Sequence, residues 1–210
     1  MASLTFVIGD VHGCLDCLTE LLSKIPLTRD SRLIFLGDYV DRGPDSKGVV
    51  ETLLKLSESY DCVFIRGNHE QMMLDYVLNG TNLDLWLMNG AGATLRSYSG
   101  VDKIPKDHVE FLKSTSIYYV QGNDVFVHAG VRPNVPLEEQ SEFDMLWIRY
   151  EFIYSENPLP GYRIFFGHTP FQDVLILKDK VGLDTGCVYG NKLSAIALET
   201  MQIFQVSCGG

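Results

Sequence analysis

Three short hydrophobic runs, each closed by glycine next to an acid or amide and each followed by a helix-period stretch, constrain this chain more than any other feature. Leu4–Gly9 (LTFVIG) runs into Asp10, Arg32–Gly37 (RLIFLG) into Asp38, and Cys62–Arg66 (CVFIR) into Gly67 and Asn68. Their β-branched and aromatic content reads as buried strand. After the first, Leu15, Leu18, Leu21, Leu22 and Ile25 share one helical face, ended by Pro26. After the second, Ser46 can cap a helix carrying Val49, Val50, Leu53, Leu54 and Leu56, and a third helix is expected from about Glu70 to Leu78. This alternation predicts βαβ units and a sheet that is at least partly parallel. Ligands of open α/β sheets bind beyond the carboxyl ends of the strands, where the polar loop residues fall here.

The rest of the chain differs. Residues 82–114 read as short helices broken by Gly90, Gly92 and Gly100, a candidate helical cap inserted in a single domain spanning 1–210. Ile117–Gln121, a Gly122-Asn123 turn and Asp124–His128 predict a hairpin. Arg163–Phe166, Val174–Lys178, Val181–Asp184, Leu193–Leu198 and Gln202–Val206 predict further strands, whose antiparallel pairing would build a second sheet against the first.

Five motifs carry the chemistry: GDVHG (Gly9–Gly13), GDYVDRG (Gly37–Gly43), GNHE (Gly67–Glu70), HAG (His128–Gly130) and GHT (Gly167–Thr169). Each sets Asp, Asn or His beside a glycine directly after a strand. Of the five histidines only His108 lies elsewhere. Glycine allows the close backbone approach that a loop around an ion requires, and Asp and His donors suit manganese, iron or zinc. Taken singly, Asp10 could be a helix cap, Asn68 a turn residue and His128 a structural histidine. Five such coincidences at five strand ends favour a metal site instead.

Together these motifs resemble those of the phosphoprotein phosphatase family, within the calcineurin-like metallophosphoesterases, from Gly9 to about Gly190. The resemblance implies an α/β sandwich of two mixed sheets flanked by helices, with a dinuclear centre at one edge. Asp10 and His12 would bind the first metal, Asp38 would bridge, and Asn68, His128 and His168 would complete the second. Two divalent ions are implied, manganese being favoured and iron or zinc admissible, with a water between them as nucleophile. His69 would be the general acid, oriented by Asp41. Arg42 and Arg149, with Asn68 and His69, would bind the substrate phosphate, the planar arginine fork gripping two oxygens.

GDYVDRG and GNHE look more like the protein phosphatases than the bacterial symmetrical diadenosine tetraphosphatases. Those resemble this chain in GDVHGC and LDTG, but typically carry alanine at the Asp41 position, GNHD, and GHW. A compact serine/threonine protein phosphatase is therefore expected, with a dinucleoside polyphosphate hydrolase as the alternative. A phosphodiesterase or nuclease on the same scaffold is disfavoured by the acidic charge and by the arginine pair suited to a terminal phosphate, and a non-catalytic phospho-ligand module by every ligand position being filled. The partner would be a phosphorylated protein or peptide, or a small phosphoester or nucleotide, with no regulatory subunit implied. Arg132 is expected at the rim or in a structural role, Asp184 and Thr185 as loop braces, Tyr39 in packing and Trp147 beneath Arg149.

Composition limits the remaining classes. A net charge of −10 disfavours nucleic acid and membrane surfaces as partners; metal ions and two arginines would supply the local positive charge that phosphate needs. The chain opens MASLTFVIGDVHG, without a basic leader, and has no apolar run near the ~20 residues of a membrane span. A cytoplasmic location follows as the expectation. Five cysteines, an odd number, do not suggest a disulfide framework. Cys14 and Cys17 form a lone CxxC, and a structural zinc site would need two more ligands. The thiols therefore read as buried or incidental.

Overall fold

Alternation along the first three strands divides their side chains between two cores. Along β1 (Thr5–Ile8) and β2 (Arg32–Phe35), Phe6, Ile8, Leu33 and Phe35 face outward to helices, while Val7 and Ile34 face a second sheet. The computed structural model describes residues 4–209. β2 pairs in parallel with both β1 and β3 (Asp61–Phe64), as the βαβ pattern predicts. The outer face is covered by α1 (Leu15–Lys24), α2 (Ser46–Ser57) and α3 (Asn68–Asn79) through Leu18, Leu21, Val49, Val50, Leu53, Met72 and Met73. Full burial of such a side chain contributes about 1.5–3 kcal/mol. The cap of α2 is Asp45, whose carboxylate accepts from the Gly48 N–H at 2.9 Å; Ser46 is the first helical residue and points its hydroxyl elsewhere.

Residues 82–114 form α4 (Leu83–Met88), α5 (Ala91–Tyr98) and α6 (Lys106–Ser114). Their Trp86, Ala91, Phe111 and Leu112 enter the same core as β1 and β2. The expected hairpin forms from β4 (Tyr118–Gln121) and β5 (Asp124–Val127).

The second sheet has the order β4-β5-β6-β8-β7, with β6 at Arg163–Phe166, β7 at Leu175–Ile176 and β8 at Lys180–Gly182. It is mixed, not antiparallel throughout. β5–β6 and β6–β8 are parallel: between β5 and β6 the chain returns over the outer face through α7 (Glu142–Trp147) and α8 (Tyr150–Ile153), and between β6 and β8 it passes through the edge strand β7. The last two strands also depart from expectation. β9 (Lys192–Ala197) and β10 (Ile203–Ser207) join the first sheet, β9 antiparallel to β1. The reason is burial: Leu193 and Ala195 pack toward α1 and Ile196 toward the facing sheet, so β9 needs cover on both faces. Between the sheets lie Val7, Ile34, Leu36, Phe126, Phe165, Val181 and Ile196. The result is a helix–sheet–sheet–helix sandwich of two mixed sheets. Among the described residues, no helix is long and apolar enough to cross a membrane.

Candidate active site

The loops leaving β1, β2, β3, β5 and β6 meet at one edge of the sandwich. They bring together Asp10, His12, Asp38, Asn68, His128 and His168, each at most 5% exposed. The backbone is bent to do so. His12, Asp38, Asp41, Arg42 and His168 have φ of +47°, +53°, +72°, +69° and +64°, a region that costs non-glycine residues roughly 1–2 kcal/mol each. Two neighbouring glycines are required for a different reason: a Cβ on Gly67 would collide with Asp38 Oδ1, and one on Gly167 with Asp10 Oδ1.

Two donor sets share Asp38. Its Oδ2 lies 3.3 Å from His12 Nε2, and its Oδ1 lies 3.3 Å from His128 Nε2. Each imidazole gives its other nitrogen to a backbone carbonyl, His12 Nδ1 to Val40 at 2.9 Å and His128 Nδ1 to Leu36 at 2.8 Å. Those donations leave both Nε2 atoms as lone pairs aimed inward, the arrangement typical of metal-bound histidine. Around His128 Nε2 stand Asn68 Oδ1 at 3.0 Å and His168 Nδ1 at 3.2 Å. Lone pairs gathered this closely repel unless a cation or proton lies among them. In addition, Asp10 Oδ1, His69 Nε2 and His168 Nε2 are buried without a hydrogen-bond partner among the described residues. These residues fit a pair of cations.

The buried groups also shift one another electrostatically. Burial, then Asp184 and Asp38, push the Asp10 carboxyl well above its ordinary range. For Asp38 burial acts in the same sense, but His128, His69 and His12 outweigh it and hold the carboxylate well below the usual range. Burial alone would lower His12; Asp38 overrides it and raises the imidazole to about 9. Burial, then His128, pushes His168 well down. Burial also lowers His69, with Asp38 and Asp41 pulling upward.

Beside the donor sets, His69 Nδ1 lies 2.7 Å from Asp41 Oδ2. Asp41 is fully buried and held on all sides: Trp86 Nε1 donates to it at 2.9 Å, Thr94 Oγ1 at 2.6 Å, and its own N–H donates to Thr94 and Ser46. Arg42 Nη1 reaches His12 Nε2 at 2.9 Å, and Arg149 Nη1 donates to the His168 carbonyl at 3.0 Å. All ten residues singled out in the sequence therefore converge. Trp147 meets the His168 ring edge-on at 6.1 Å, so it packs against that histidine. Tyr39 is buried and donates to the Ile65 carbonyl, a packing role. Arg132 is tied to Asp144 and Glu151. Asp184 accepts from the Gly186 N–H and Thr185 donates to the Lys192 carbonyl, as loop braces do.

Sequence reasoning passed over Trp86, Thr94 and, above all, Glu70. Glu70 Oε2 accepts the N–H of Asp38 (2.8 Å) and Gly67 (2.9 Å), and Oε1 those of Tyr39 (2.7 Å) and Val40 (3.2 Å). Its place as third residue of α3, preceded by Gly67 as cap, was the available signal. Burial, then Asp38, raises its pKa to about 7 against the pull of these backbone donors. Glu70→Gln turns an amide NH2 against two of the four donors and is expected to cost about 3 kcal/mol. Thermal unfolding measures this; an unchanged midpoint would show that the carboxylate does not hold the Asp38 loop.

Known proteins share these features. The calcineurin-like phosphoesterase family matches residues 4–202, and metallophosphoesterases of this kind use a dinuclear metal centre. The asymmetrical bis(5'-nucleosyl)-tetraphosphatase PrpE of Anoxybacillus flavithermus is 28% identical over 95% of this chain and 92% of its own length. Serine/threonine-protein phosphatase 1 of Salmonella typhimurium is 30% identical, over 92% and 91%. A solved structure of a provisionally assigned diadenosine tetraphosphatase superposes with a TM-score of 0.79 at 25% identity, covering 99% of this chain and 94% of the other. With the match running nearly end to end and the His/Asp donor sets in place, this chain belongs to the calcineurin-like phosphoesterases, hydrolytic enzymes with a metal-binding site.

Proposed function

We propose that this enzyme hydrolyses phosphomonoesters with poor leaving groups, above all phosphoserine and phosphothreonine in proteins or peptides. The observation that carries this reading is the buried His69–Asp41 pair at 2.7 Å. An alkoxide leaves slowly unless it is protonated, so a tightly held acid makes chemical sense for such esters. Asp10, His12 and Asp38 would hold one cation, and Asp38, Asn68, His128 and His168 the other, with manganese the favoured ion. When bound, the pair supplies a water of lowered pKa as nucleophile.

The chain's own groups do the rest. Arg42 and Arg149 grip the phosphate oxygens and orient phosphorus toward the incoming water. As the new P–O bond forms and the ester P–O bond breaks, His69 Nε2–H passes its proton to the leaving oxygen. Asp41 holds Nδ1–H throughout and stabilises the imidazolium before transfer.

A second reading, hydrolysis of dinucleoside polyphosphates, is favoured by the likeness to PrpE and to the diadenosine tetraphosphatase structure. There the leaving group is a phosphate, which needs little acid assistance. With manganese present, p-nitrophenyl phosphate turnover is expected, and chelation should abolish it. In a side-by-side assay, phosphoserine and phosphothreonine peptides should exceed diadenosine tetraphosphate in kcat/KM. Fast cleavage of the dinucleotide with inert phosphopeptides would replace the first reading by the second.

A further inference from the structure

Four of the five cysteines gather at one point beside the active-site edge. Cys14 caps the start of α1 and Cys17 lies in its first turn. Cys187 sits in the turn that follows the LDTG loop, and Cys208 follows β10. The Sγ atoms of Cys17, Cys187 and Cys208 lie within 4.8 Å of one another, and Cys187 Sγ is 3.3 Å from Cys208 Sγ. Cys14 donates its thiol to the His12 carbonyl at 3.7 Å and borders the same cleft as these three. The fold thus brings Cys187 and Cys208 to one member of the CxxC pair, Cys17, with Cys14 at the edge of the same cleft.

A disulfide joins Cys17 to Cys208, with Cα atoms 5.8 Å apart. It accounts for two sulfurs and leaves Cys14 and Cys187 as free thiols, with Cys187 Sγ 3.3 Å from Cys208 Sγ. A disulfide needs no such company. A tetrahedral zinc ion does: Zn–S bonds of about 2.3 Å set four sulfurs about 3.8 Å apart. A cleft of about 470 Å³ bordered by all four cysteines and Arg42 provides a way in for an ion.

We propose that Cys14, Cys17, Cys187 and Cys208 form a tetrathiolate site for structural zinc, separate from the phosphoester centre, which ties the end of the chain to the first turn of α1. The disulfide is the oxidised form of the same site. A phosphine reductant supplies two electrons to the Cys17–Cys208 bond, two protons from water complete the thiols, and the phosphine leaves as its oxide. Zinc binding then displaces one proton from each of the four thiols.

The test uses the full chain, reduced with a phosphine and loaded with cobalt in place of zinc. Thiolate-to-cobalt charge-transfer absorption in the near ultraviolet is expected, a signature that the Asp, His and Asn donors of the other centre cannot produce. It should persist in Asp38→Asn, disappear in Cys17→Ser and Cys208→Ser, stay in Cys62→Ser, and be bleached by one equivalent of zinc. The zinc-loaded wild-type chain should show only Cys62 alkylated under native conditions, and all five cysteines after zinc removal, so the test survives a variant that fails to fold. Absence of the band, its survival in Cys208→Ser, or equal alkylation with and without zinc would overturn the site.

Discussion

Asp38→Asn is expected to lower p-nitrophenyl phosphate turnover by roughly 10³-fold or more while the chain stays folded. Among the described residues, this carboxylate is the one shared by both donor sets, one oxygen 3.3 Å from His12 Nε2 and the other 3.3 Å from His128 Nε2. The amide keeps the shape but halves the oxygen donors and removes the charge. Steady-state rates in manganese, metal content by elemental analysis and circular dichroism give the result, with metal content falling alongside rate. Near-normal turnover would show that Asp38 is not the bridge. Because its backbone N–H still reaches Glu70, the loop itself should keep its course.

A second substitution separates acid catalysis from mere positioning. His69→Asn should cut kcat on a phosphoserine peptide by about 10²–10⁴. The loss on p-nitrophenyl phosphate should be much smaller, because nitrophenolate departs without a proton. Equal losses on both esters would remove His69 from the role of acid, whatever its effect on binding. The contrast is informative because the pair is rigid: Trp86 and Thr94 fix Asp41 in turn.

Much of this site was legible in the sequence because its donors announce themselves locally. Asp10, Asp38, Asn68 and His168 each sit beside a glycine where a hydrophobic run stops, and His128 one residue from Gly130, a pattern that needs no tertiary knowledge. Glu70 was less legible because its partners are backbone N–H groups, which leave no mark on residue types. Trp86 and Thr94 reach Asp41 across 45 and 53 positions, and nothing near them in the chain says so. The pairing of β9 with β1 has the same character, since a strand's partner depends on which faces its neighbours leave to be covered. The cysteines show the limit most clearly. Cys14 and Cys17 form a visible pair, whereas Cys187 and Cys208 join them only after both sheets are built.

The division of the donors between the two sheets ties folding to occupancy. Asp10, His12, Asp38 and Asn68 follow strands of the first sheet, while His128 and His168 follow β5 and β6 of the second. On the proposed ligand set, an ion at this edge spans the seam between the layers and binds the assembled sandwich in preference to the open chain. By mass action, free metal at a hundred times its dissociation constant adds about 2.7 kcal/mol per site to the folded state. That is a large part of the roughly 5–15 kcal/mol on which a domain of this kind stands. A cell short of the ion would lose intact protein along with activity, so metal supply would set abundance as well as rate.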